Sequence, residues 1–171
     1  MKNTDELKIG IFHILYYSRK TTYLKWYNIV TFGFMIMGVV IFGIMQHPSF
    51  TVNVSSFATV AITGLSFTLA LFIATAKNIF DIEELKMLLQ YDRKKNTFLF
   101  YELIGPYIFT SLIWLIIGIV VVVKFSNIFS GIIVLNSILD FLILSFFIMG
   151  LFNLFDLIVS NIQDLIKKID R

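Results

Sequence analysis

The sequence predicts an all-α membrane protein: four transmembrane helices forming two hairpins, with amphipathic helices on the cytoplasmic side, all in a single domain over residues 1–171. Three observations carry this. The chain is 58% hydrophobic and only 15% charged, against about 45–50% apolar and about 25% charged residues in soluble domains. Four apolar stretches, Tyr27–Met45, Ser55–Ala76, Leu103–Val123 and Ile128–Leu151, contain no Lys or Arg, and each approaches or exceeds the roughly 20 helical residues that cross a hydrocarbon core. Of the 14 Lys and Arg, 13 fall before the first span, between the second and third, or after the fourth, and one, Lys124, falls in the third connection. Cytoplasmic segments keep the excess of positive charge, so both termini and the middle connection are expected in the cytoplasm of a multi-pass cell-membrane protein.

The elements follow in order. Residues 3–25 carry Asn3 and Glu6 at capping-box spacing and an apolar stripe through Leu7, Ile11 and Ile14, which predicts an amphipathic helix. Lys8, His13, Arg19 and Lys20 interrupt this segment, so it lacks the unbroken apolar core of a cleaved signal and is expected to stay in the mature chain. The first hairpin spans 27–45 and 55–76. Residues 78–95 then place Ile82, Leu85 and Leu89 at helical spacing among charges, a second cytoplasmic helix. The third span, 103–123, has Pro106 near its expected start, where a missing amide donor costs least. The fourth, 128–151, continues into an amphipathic cytoplasmic helical segment over 153–170. Its stripe of Ile158, Ile162, Leu165 and Ile169 is too short for an independent coiled coil but suited to docking against protein, headgroups or a partner.

Sliding the chain by 75 residues overlays "NIFD" at Asn78–Asp81 on "NLFD" at Asn153–Asp156, with Thr22 meeting Thr97, Phe34 meeting Phe109 and Gly43 meeting Gly118. This is the pattern of a tandem repeat of two-span units in the same orientation.

Two intramembrane features invite a role. Ser56, Thr59, Thr63, Ser66 and Ala70 recur every three or four residues along the second span, a small-residue face that suits a helix-packing seam or the wall of a water path. In "SILDFLILSFF", residues 137–147, Asp140 lies among apolar residues with Ser137 and Asn136 close by on the helix. No span contains a cation, so the carboxyl is expected to be wholly or partly protonated and to act either as interhelical glue or as a proton or cation site.

Enzyme chemistry finds little support. The chain has no Cys, and its two His, His13 and His47, are assigned to opposite sides of the membrane, so no catalytic group, metal site or cofactor site is expected. No glycine-rich phosphate loop, nucleophile elbow or paired zinc-binding His motif occurs. The net charge of +3 is read as serving topology and anionic headgroups rather than nucleic acid. Two functions are expected to compete. One is a non-catalytic bundle that binds another membrane component or itself, as accessory subunits and toxin-immunity proteins do. The other is a homo-oligomeric proton or cation channel with Asp140 at the membrane midplane.

Overall fold

The computed structural model describes residues 11–44, 50–78, 82–95, 98–126 and 131–169. Six helices account for nearly all of them: α1 (Ile11–Tyr17), α2 (Trp26–Ile44), α3 (Val54–Asn78), α4 (Ile82–Lys95), α5 (Leu99–Phe125) and α6 (Ile133–Ile169). Of these, α2, α3, α5 and α6 are long and apolar enough to cross a membrane. Helix is the form a lone apolar segment must take there, because lipid offers no partner to backbone amides and carbonyls.

Helices α5 and α6 form the centre. Helix α2 packs on α6 and α3 packs chiefly on α5, while α1 and α4 lie against α5. The first two spans thus reach the bundle through the last two. Close approach comes from glycine and a few large knobs, as expected where lipid is as apolar as the protein interior. Trp114 of α5, 2% exposed, fills the space that side chains on Gly64 of α3 and Gly150 of α6 would occupy. Phe141 of α6 occupies the corresponding space at Gly38 of α2. Around Trp114 a core of Ala61, Ile113, Ile117, Val121, Ile143 and Met149 closes the α3, α5 and α6 contact.

Two boundaries differ from the sequence reading. Helix α6 is one rod of 37 residues, about 55 Å long, with no break between the expected span end at Leu151 and the expected tail helix at 153. Asn153 lies within it, its side-chain Nδ2 donating to Met149 O at 2.8 Å. Helix α5 starts at Leu99 and runs through Phe125, which carries Pro106 into its third turn. The missing Pro106 amide deprives the Glu102 carbonyl of its helical partner. Thr21 Oγ1, which donates to Ser18 O at 2.9 Å, also lies 3.4 Å from that carbonyl. The connection from α1 to α2 comes this close because Gly105 leaves room for the Ser18 side chain.

Candidate functional site

Asp140, 1% exposed, forms an ion pair with Lys124. This corrects the expectation of a carboxyl without a cation. The third span was expected to end at Val123, leaving Lys124 in a turn, but α5 continues past it. Lys124 extends the buried stripe Ile113, Ile117 and Val121 at spacings of four, four and three. Its alkyl stem lies along that apolar surface and its ammonium turns inward to the carboxylate. Asp140 is seven residues into α6, about 10 Å along the axis from its start. Ser137 is buried and Asn136 half-buried one turn before Asp140, which forms a charge pair joining α5 to α6.

Three further polar ties, none anticipated from sequence, cross the bundle at its other end. Asn28 of α2 and Asn153 of α6 exchange amide hydrogen bonds, Asn153 Nδ2 donating to Asn28 Oδ1 at 2.7 Å and Asn28 Nδ2 donating to Asn153 Oδ1 at 3.2 Å. Asn28 Nδ2 also donates to Thr22 O at 2.8 Å. One turn along, Lys25 pairs with Asp156. On the other side of α6, Asn161 Oδ1 accepts from Thr75 of α3 at 2.7 Å and from Tyr107 of α5 at 2.8 Å. The recognisable signal was the spacing of Asn153, Asp156 and Asn161 along one extended helix, which a reading that ends the span at Leu151 conceals.

The Asn pair should be measurable by a double-mutant cycle. We expect Asn28→Leu and Asn153→Leu to be coupled by about 0.6 to 1.7 kcal/mol in thermal unfolding of the detergent-purified protein. Additivity of the two changes would show that the exchanged bonds contribute nothing.

The other predicted residues are placed differently from one another. Ser56, Thr59, Thr63, Ser66 and Ala70 all lie on the exposed side of α3. The face that approaches α5 and α6 carries Ala61, Gly64, Thr68 and Thr75 instead. Small size marked both faces, and only the one opposite the Trp114 knob is used within the chain. The hydroxyls need no second helix, since Thr63 donates to Thr59 O at 2.9 Å and Thr68 to Gly64 O at 2.8 Å. Of the tail stripe, Ile158 is half-buried, while Ile162 and Leu165 are 51% and 44% exposed beside a cavity floored by Leu71, Ala74 and Thr75 of α3. Cover within the chain is therefore partial; the side chain of Ile169 lies outside the described residues.

His13 stacks edge-on to Tyr17 and Tyr101, at centroid distances of 4.6 and 5.7 Å, and His47 lies outside the described residues. No group of three His, Asp or Glu able to hold a metal occurs among the described residues. Two apolar clefts of about 440 and 380 Å³ follow one another along the α3 and α5 junction and share Leu65 and Leu115 on their walls. The arrangement can hold helices together and offer apolar and small-residue surface to a neighbour. Comparison with known family models, curated proteins and solved structures returns no match.

Proposed function

We propose that this chain is a non-catalytic multi-pass protein of the cell membrane that acts by binding another membrane component, in the manner of accessory subunits and toxin-immunity proteins. One contrast carries the reading. Buried polar side chains on α2, α5 and α6 tie to one another inside the chain, as in the Asp140–Lys124, Asn28–Asn153 and Tyr107–Asn161 contacts. The small face of α3 from Ser56 to Ala70, by contrast, is exposed and receives no helix among the described residues. A close-packing face left exposed by the described residues suits a helix from another protein.

Photocrosslinking tests this. A photoreactive residue at Thr63 should give a stoichiometric adduct with a second membrane protein in native membranes, and one at Ile36 on α2 should not. Adducts only between copies of this chain, together with cation or proton flux in liposomes that Asp140→Asn abolishes, would replace the reading with the channel. Against the channel, the Asp140 charge already has a cationic partner in its own chain.

The orientation reading places both termini in the cytoplasm, supported by the distribution of 13 of the 14 basic residues and by α1 and α4 packing on α5. Single cysteines introduced at Ser49 and Asn96, both outside the described residues, check it. In intact cells an impermeant thiol reagent should label position 49 and spare 96; the reverse pattern inverts the topology.

A further inference from the structure

At the end of the bundle where α5 begins, a cavity of about 300 Å³ is lined by Tyr16, Tyr17, Arg19, Lys20, Phe98 and Glu102. Arg19 is held over the Tyr16 ring, 5.5 Å from its centroid, and Tyr17 stacks on Phe98 at 4.3 Å, so the walls are ordered by ring contacts. The charged groups on those walls are not consumed by one another. Lys25–Asp156 and Lys124–Asp140 pair elsewhere, and no ion pair joins Arg19 or Lys20 to Glu102 among the described residues.

From this arrangement we infer that the cavity is a binding site for the headgroup of a phospholipid carrying both a phosphate and a primary ammonium, the phosphoethanolamine class. Arg19 and Lys20 would take the phosphate, the guanidinium through its forked donors and the ammonium as a point charge. Glu102 would take the ligand's ammonium, with the aromatic walls adding cation–π attraction. A simple anion would leave Glu102 unmatched, and a simple cation would meet two like charges, so a ligand with both signs fits best. Depth favours a lipid: Trp26, 73% exposed, opens α2 just after this segment, and exposed Trp marks the headgroup level of a bilayer.

The test is lipid retention by the full chain in native mass spectrometry, with phosphatidylethanolamine, phosphatidylglycerol and phosphatidylcholine of matched acyl chains. Phosphatidylethanolamine should be retained best. R19Q/K20Q should lower retention of phosphatidylethanolamine and phosphatidylglycerol by roughly 5- to 30-fold, and E102Q should abolish the preference for the first over the second while keeping the second bound. K167Q/K168Q, with the same charge loss in the tail, should leave the order unchanged. Retention unaltered in R19Q/K20Q, an equal fall in K167Q/K168Q, or a preference that survives E102Q would each overturn the assignment. If R19Q/K20Q does not fold, E102Q decides alone. Displacement of the lipid by soluble phosphoethanolamine would assign the site to the free compound; resistance to displacement would assign it to the membrane lipid. Both results keep the recognition chemistry.

Discussion

Asp140→Leu, with Lys124 left in place, is expected to lower stability by about 3 kcal/mol, and Lys124→Leu alone by a similar amount, because each strands a buried charge. The double change Lys124→Leu/Asp140→Leu should recover most of that loss. It removes both desolvation costs together and leaves two leucines between α5 and α6, where the pair now sits with side chains 11% and 2% exposed. Thermal unfolding in a fixed detergent would report the cycle. Additive losses would mean that the carboxylate and ammonium do not interact, and the assignment of Asp140 as a tie would fall. Asp140→Asn, which keeps an acceptor for Lys124, should cost less than Asp140→Leu.

The second large effect centres on Trp114. Trp114→Ala should cost about 3 kcal/mol, near the low end for aromatic truncation. Lipid is as apolar as the core, so the penalty reflects the cavity and lost packing more than transfer from water. The converse change is informative: a Cβ on Gly64 would overlap the indole, so Gly64→Leu should destabilise by about 1 to 3 kcal/mol or more through overpacking. Combining Gly64→Leu with Trp114→Ala should restore part of the loss in both melting temperature and monomer yield. If the combination is no better than its worse single change, the knob does not sit against that glycine.

These two sites show where sequence reading succeeds and where it stops. Helicity and span number were legible because long runs without Lys or Arg admit only one solution in hydrocarbon, and Asp140 stood out by its cost. Its partner did not, since a lysine beside a span end reads as turn chemistry until the helix is seen to continue and the Ile117, Val121, Lys124 register becomes a face. Likewise Ser56 to Ala70 and Ala61 to Thr75 are both small-residue faces of α3. Choosing between them required knowing that Trp114 lies opposite one, a contact 50 residues away in sequence from Gly64. Asn153, two residues past the expected span end at Leu151, has its amide matched by Asn28 across the bundle.

The unbroken length of α6 has a consequence for the bilayer itself. It is clamped near one end to α5 through Asp140 and toward the other to Lys25, just before α2, through Asp156, and these carboxylates are 16 residues apart, or about 24 Å along the axis. Because both clamps are charged, each favours a place near the polar boundary, and the unbroken helix between them holds the two carboxylates about that distance apart. Hydrocarbon layers are about 30 Å thick on average, so the surrounding lipid must thin at this helix or the charges must be drawn inward. Thickening the bilayer is therefore expected to load both ion pairs at once.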